Sequence, residues 1–315
     1  MFSSTIIPTV GRPSLSRAVA SLLNQNFSAA DFEVIVVNDS GQPLPPAAWQ
    51  QHQRVRLITT QRRERSVARN SGAAMARGEY LHFLDDDDWL GPDALQSIWD
   101  MAKPAEAGWF YGISNLVDRE RQPLIRLHHQ LSGNCFVQVM AGEWIPLQAS
   151  FIRAEAFFAV GGFNPQLAGP EDIDLLRRVA LTWELAETAK PIAYVIRGES
   201  GSTTDYDRHP QASRWAREMI LAQAGVFPRL RASATQARWR GRIGRIYLTS
   251  LVWNVRRLRL FEALDRGWSF GRNLIASGAD LLSPAFWQAL VKSYASEAHA
   301  RGLQEVAALS SGKGA

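Results

Sequence analysis

Tyr80-Leu81-His82-Phe83-Leu84-Asp85-Asp86-Asp87-Asp88-Trp89 is the stretch on which the reading of this chain turns. An apolar segment that reads as a buried strand runs directly into four consecutive acids. Like charges repel at this spacing, so something must offset the crowding. Carboxylates one residue apart are a common way to hold Mg²⁺ or Mn²⁺ against a diphosphate. The competing reading is a solvated acidic turn, where most charge runs end up. The position of the acids at a strand end favours the first.

Working outward, Ser4-Thr5-Ile6-Ile7-Pro8-Thr9 reads as a short buried strand, and Ser14 is placed to cap a helix with Leu15, Ala18, Val19, Leu22 and Leu23 at helical spacing. Phe32-Glu33-Val34-Ile35-Val36-Val37 is almost continuously apolar, as parallel strands covered on both faces tend to be. Val55-Arg56-Leu57-Ile58-Thr59 predicts a third strand, residues 66–76 a helix, and Gly78 its stop. Such alternation implies right-handed βαβ units and an open parallel sheet, whose ligands sit outside the carboxyl ends of the strands. Thr9, Asn38-Asp39-Ser40 and Asp85 to Asp88 fall at those ends, which points to a nucleotide-type site. Asn-Asp-Ser-Gly is also strong turn chemistry, so Asp39 has a purely local reading too. Residues 108–160 look mixed, with strand-like pieces at 109–117 and 147–153. Leu175 to Leu185 predicts a helix, the chain reads helical from about Pro210, and residues 310–315 read as a flexible tail.

Two further constellations carry chemistry. Arg65-Ser66-Val67-Ala68-Arg69-Asn70 offers guanidinium groups suited to phosphate, or else a solvated helix start together with Arg62 and Arg63. Asn70 is a poor helix former, which suggests a task for its side chain. Gly169-Pro170-Glu171-Asp172 leads two carboxylates into a helix, where the dipole favours acids and where a general base would also be held rigidly.

Composition bounds the rest. Hydrophobic residues make up 46% and charged residues 21% of the 315, as in a globular protein with a substantial core. The single cysteine, Cys135, excludes an internal disulfide and a cysteine zinc cluster, and reads as a packed core residue. With no visible signal peptide and no apolar run of membrane-spanning length, a cytoplasmic location is expected, with contact at the inner face of the membrane left open. The net charge of +5 is uneven: between Val226 and Ile275 eleven arginines face only Glu262 and Asp265, leaving the remainder of the chain net acidic. Two readings of this basic stretch stand side by side: an amphipathic helical pair on an anionic membrane, and a bundle packed on the body of the protein. No nucleic-acid motif accompanies it.

Ile6-Ile7-Pro8-Thr9 with Gly11-Arg12, Val36-Val37-Asn38-Asp39, Ala68-Arg69-Asn70, Gly78-Glu79-Tyr80, Phe83-Leu84-Asp85-Asp86-Asp87-Asp88, Gly161-Gly162-Phe163 and Glu171-Asp172 occur in that order. The series, over residues 4–205, resembles family 2 glycosyltransferases of the GT-A fold. The resemblance implies an α/β fold with a Rossmann-like, mostly parallel sheet. It implies a catalytic domain at 1–208, a basic helical C-terminal region at 209–309 and a tail at 310–315. By the same resemblance Thr9, Arg12, Asp39, Arg65, Asn70, Asp85 and Asp86 serve the nucleotide-diphospho-sugar donor. Asp87, with Asp85, holds Mn²⁺ or Mg²⁺. Asp172 is the catalytic base of an inverting transfer, with Glu171 and Asp88 supporting acceptor or sugar. The expected donor is UDP-linked and the expected acceptor a glycan or lipid-linked glycan in surface polysaccharide synthesis. The alternative is a nucleotide-sugar-binding protein with impaired catalysis and an interacting basic tail. One departure bears on this: Arg197-Gly198-Glu199 places Glu199 where relatives carry a histidine, and His209, nearby, receives no role. The loops at 108–146 and 198–210, where specificity is expected, contain no decodable motif.

Overall fold

Ser3–Thr9 (β1), Leu15–Leu23 (α1), Phe32–Asn38 (β2), Val55–Thr59 (β3), Arg65–Ala74 (α2) and Tyr80–Phe83 (β4) follow one another as the sequence predicts. The structure, a computed structural model, describes residues 1–292 apart from 62, 103–105, 168 and 198–209, together with 301, 302 and 304. The readings made at Arg62, Glu199 and His209 therefore lie outside the described residues. β3, β2, β1 and β4 pair in that order, all parallel. β1 and β2 run in register from Ser3 opposite Phe32 to Thr9 opposite Asn38, so their polar ends finish level. Every residue of β2 is buried, which is why it reads as an unbroken apolar run.

The rest of the sheet departs from a mostly parallel arrangement. Trp89–Leu90 (β5), Ala94–Ala102 (α3), Trp109–Val117 (β6), Pro123–Leu127 (β7), Phe136–Met140 (α4), Ser150–Arg153 (β8), Ala154–Ala159 (α5), Glu171–Thr182 (α6) and Leu185–Ile196 (β9) complete this part of the molecule. β8 lies antiparallel between β4 and β6, β9 pairs parallel with β6, and β5 and β7 add antiparallel partners, giving a mixed sheet. The helix expected at Leu175 to Leu185 starts earlier, at Glu171, and stops at Thr182, so that Leu185 opens β9 instead. β9 is poorly marked in sequence because it carries Glu187, Thr188, Lys190 and Pro191. The ladder with β6 slips between Gly112 and Ser114, where Pro191 faces Ile113. A proline inside a strand is accommodated at such an irregularity.

Alternating residues send the strands' side chains to two cores. Ile7, Val34, Val36 and Leu84 pack with α1 and α3 on one face. Ile6, Ile35, Val37 and Phe83 pack on the other with α4, α5 and α6. Cys135 is buried there as a free thiol.

The same second core takes in the C-terminal helices Pro210–Leu221 (α7), Val226–Ser233 (α8) and Ala237–Arg256 (α9), through Ile220, Val226, Leu230, Ile243, Ile246 and Tyr247. The basic region thus packs on the body of the protein through its apolar residues. Leu260–Ser277 (α10) and Pro284–Val291 (α11) lie against α9. Between α7, α9 and α10 the contact is polar. Glu218 accepts from Ser250 Oγ, from Asn254 Nδ2 at 3.1 Å and from Arg266 Nε at 3.1 Å, all of them buried. Removing one partner of a buried ion pair strands the other charge. Glu218→Ala is therefore expected to destabilise the protein by about 3 kcal/mol, seen as a lower denaturant midpoint in chemical unfolding.

Candidate active site

The site forms where β1, β2 and β4 end and α2 and α6 begin. β4 stops at Phe83, and the chain turns through the four acids before β5, with Asp88 N–H closing the turn on Asp85 O at 3.1 Å. Thr9, at the end of β1, donates Oγ1 to Asp86 Oδ2 at 2.5 Å and accepts the Gly11 amide at 2.9 Å. Arg12 reaches Asp86 at 2.8 Å and Asp87 at 3.1 Å through one Nη1. Arg17 binds the Asp87 carbonyl at 2.6 Å and stacks over Trp89. The turn is thus braced from the β1–α1 side.

Arg69 braces it from the other side. Glu64 caps α2 by accepting from the amides of Ser66 and Val67, which fixes the helix bearing Arg65 and Arg69. The buried Arg69 guanidinium donates to Asp85 Oδ1 at 2.6 Å and to Glu171 Oε1 at 3.0 Å. Arg65 Nε joins the same Glu171 oxygen at 2.7 Å. Gln148 Nε2 completes Asp85 at 2.8 Å. One buried cation therefore ties the strand-end acids to the start of α6.

Asp172 follows in the first turn of α6 and, unlike Glu171, is partly exposed. Its Oδ2 accepts the Trp144 indole N–H at 2.8 Å and its Oδ1 accepts the Ile173 amide at 2.7 Å. Both contacts fix the carboxylate and leave a lone pair on each oxygen. Arg197, at the end of β9, stacks on Trp144 with 5.1 Å to the ring centroid. Burial lowers the Arg197 guanidinium from its ordinary value, with Asp88, Asp172 and Asp85 opposing that shift. A second cation thus lies within electrostatic reach of both carboxylate groups.

The acids divide by charge environment. Burial works to raise Asp85, but Arg69 by charge and hydrogen bond holds it below the usual carboxylate range. Burial raises Asp86 and Asp87 despite Arg12. Asp88, whose Oδ1 takes the Ile196 amide at 2.7 Å, is raised well above its ordinary value by burial, then by Asp85 and Asp87. Burial, followed by the charge of Asp172, pushes Glu171 up to about 7 in spite of both arginines.

Two of the expected donor residues also hold neighbouring segments of the chain in place. Asp39 accepts from Thr60 Oγ1 at 2.8 Å and from the Glu64 amide at 2.7 Å, so its carboxylate positions the approach to α2. Asn70 donates to the Phe163 carbonyl at 2.8 Å and accepts the Phe163 amide at 3.0 Å, clasping the Gly161-Gly162-Phe163 turn. Gly162 is required there: its φ is +68°, and a Cβ would lie 2.7 Å from Asn70 Oδ1. Phe163 in turn lies under Arg69, 5.3 Å from ring centroid to guanidinium. Trp144 and Gln148 were not singled out in the sequence, and Arg69 was read there as a guanidinium suited to phosphate rather than as the link between Asp85 and Glu171. Arg69 alone carried a signal, as a cation inside a helix start already marked by Asn70.

The donor set also bears on a metal. Among the described residues no three His, Cys, Asp or Glu side chains are grouped to hold an ion. Asp85 stands close enough to the part-exposed Asp87 to raise its proton affinity. Two carboxylates, with further oxygens from a diphosphate and water, suit Mg²⁺ or Mn²⁺ and would not suit a cation needing a full protein cage.

Residues 4–157 match the glycosyl transferase family 2 profile. They are a family 2 glycosyltransferase domain. The chain is 33% identical over 106 residues to the poly(ribitol-phosphate) beta-N-acetylglucosaminyltransferase TarP of Staphylococcus aureus, covering 32% of each protein. It is 31% identical over 198 residues to the chondroitin synthase of Escherichia coli, covering 61% of this chain and 28% of that one. The matched stretches thus span about a third or less of these curated relatives. In fold it is similar to S. aureus TarS residues 1–349 in complex with UDP-GlcNAc, with a TM-score of 0.58 at 14% identity over 84% of this chain and 89% of that one. Glu171 and Asp172 lie beyond the matched residues, and Arg69, within them, binds Glu171.

A glutamate raised to about 7 binds a proton in the folded state that the unfolded chain has already released. Its contribution to stability is full below its ordinary value of 4.5 and is lost as pH rises to about 7. Glu171→Gln is expected to flatten the fall of unfolding free energy with pH across that window, measured by denaturant titration at a series of pH values.

Proposed function

We propose that this family 2 glycosyltransferase transfers a sugar, with inversion, from a UDP-linked donor to a hydroxyl of a surface polysaccharide or lipid-linked glycan, assisted by Mn²⁺ or Mg²⁺. The observation that carries the reading is Asp172: a part-exposed carboxylate pinned on both oxygens and joined through Glu171 and Arg69 to the strand-end acids. A base beside a donor site is what inversion requires, since acceptor and leaving group lie on opposite faces of the anomeric carbon. TarP is named for transfer of N-acetylglucosamine, and TarS was solved with UDP-GlcNAc, which supports a UDP-sugar here.

In this reading the acceptor hydroxyl hydrogen-bonds Asp172 and gives up its proton to it. The acceptor oxygen forms its bond to the anomeric carbon as the bond to the diphosphate oxygen breaks, and the nucleoside diphosphate leaves with that electron pair. Trp144 and the Ile173 amide hold the base in line, which restricts the geometries it samples. Arg12 and Arg65 lie at the exposed rim, where guanidinium groups can exchange carboxylate for phosphate partners. Asp85 and Asp87 would hold the cation, which when bound offsets negative charge on the departing diphosphate.

Asp172→Asn is expected to lower transfer about a thousandfold while UDP-sugar affinity, measured by calorimetry, stays near wild type. Equal loss of binding and turnover would remove it as the base. Asp87→Ala is expected to weaken donor binding in Mn²⁺ and leave binding in chelator unchanged. Persistence of the wild-type metal dependence would reject that assignment.

A further inference from the structure

Helix α10 is turned inside out. It buries Ala263, Arg266, Ser269, Asn273 and Ser277, a face that is mostly polar. The polar contacts explain that orientation: Arg266 binds Glu218, and Asn273 donates to the Arg240 carbonyl at 3.1 Å. Gly244 of α9 lets Asn273 approach, since a Cβ there would stand 3.2 Å from its Nδ2. The opposite arc carries Leu260, Phe261, Leu264, Trp268 and Ile275, exposed by 62% to 88%. At helical spacing these five fall within about a third of the circumference and form a stripe about 22 Å long. An amphipathic helix in water ordinarily does the reverse.

The corner leading into this stripe adds charge and more apolar surface. α9 ends at Arg256 and α10 begins at Leu260, so Arg256, Arg257, Leu258 and Arg259 make the turn. Leu258 is 84% exposed and sits at φ +57°, a left-handed position that glycine or asparagine usually fills. Among the described residues none of the three arginines has an acidic partner. Arg257 and Arg259 stack on Trp253, and Arg257 binds Gln211. Asp265, at the flank of the stripe, is tied to Arg266, and Glu262 lies on the far side of the helix.

We propose that the α9–α10 corner and the exposed stripe of α10 form a docking surface for an anionic lipid bilayer, with α10 parallel to the membrane plane. Leucine, phenylalanine and tryptophan on one arc suit the boundary between headgroups and acyl chains, and the arginine corner suits anionic headgroups. A second copy of the chain fits less well, because a two-fold interface through this patch supplies no free acid to meet the arginines. No described helix is long and apolar enough to cross a membrane, in keeping with attachment at the surface. The surface lies outside residues 4–157, and its test does not depend on sugar transfer.

The test is co-sedimentation of the full chain with vesicles of phosphatidylcholine alone and of phosphatidylcholine with phosphatidylglycerol. Binding is expected on the anionic vesicles and is expected to weaken about tenfold on neutral ones or in raised salt. F261S/L264S/W268S is expected to lower partition onto anionic vesicles about tenfold or more with the melting temperature maintained, since these side chains are exposed. R256S/R257S/R259S is expected to remove the preference for anionic lipid, and it keeps the question open to test should the first variant fold poorly. No binding to either vesicle, or equal binding by both variants and wild type, would overturn the proposal. So would light scattering that finds a dimer dissolved by the apolar substitutions without any vesicle binding.

Discussion

A single buried guanidinium holds the site together. Arg69 forks between Asp85, at the end of a central strand, and Glu171, at the first turn of α6. Each element brings a carboxylate into a place where burial disfavours its charge, and the cation between them offsets that cost for both. The planar fork matters, because one group must reach two acids from one rigid helix while lying over the Phe163 ring. Lysine offers a single ammonium point and no planar face. The positions of Asp85, Asp172 and the turn beneath them all follow from where this side chain sits.

Around that cation the electrostatics are graded. Asp85 has the strongest compensation and is held low, while Asp86, Asp87 and Asp88 are all pushed upward, burial being the largest cause in each. The charge of Asp85 adds to the upward shift of all three, so repulsion persists within the turn. A positive group arriving there relieves repulsion among acids already fixed in place, so little reorganisation accompanies it. Rigidity comes from ordinary contacts: Thr9 on Asp86, Arg17 on the Asp87 carbonyl, and Gln148 on Asp85.

The first four strands were legible because burial on both faces writes itself as unbroken apolar sequence, as in Phe32 to Val37. That Asp85 and Asp87 follow a strand and Asp172 opens a helix was legible for a different reason, since the apolar runs beside them mark where those elements end and begin. β9 was not, because its polar residues and Pro191 mask a strand that tolerates a slipped ladder. Trp144 and Gln148 were hidden because their roles depend on where an irregular segment returns to the sheet. Asp39 shows the converse: its place at the binding edge is as read, yet its two oxygens serve the backbone and side chain of the neighbouring loop. In α10, Leu260, Phe261, Leu264 and Trp268 have the spacing of a core-facing stripe. The contacts of Arg266 with Glu218 and of Asn273 with the Arg240 carbonyl reveal which face is turned inward.

The clasp of Asn70 on Phe163 closes a loop of 93 residues. Contacts that distant are made only after the intervening chain has been synthesised, at roughly 5 to 20 residues per second. β1 to β4 are synthesised well before the clasp has its partner, and both of their faces await later residues such as Phe110, Phe151 and Phe163. During that interval, several seconds at least by the same rate, α2 would carry Arg69 and Asn70 without the groups that later bury them. The site therefore cannot be complete in a nascent chain before Phe163 and Glu171 have been added, and the sheet, which needs β8 and β9, is finished no earlier.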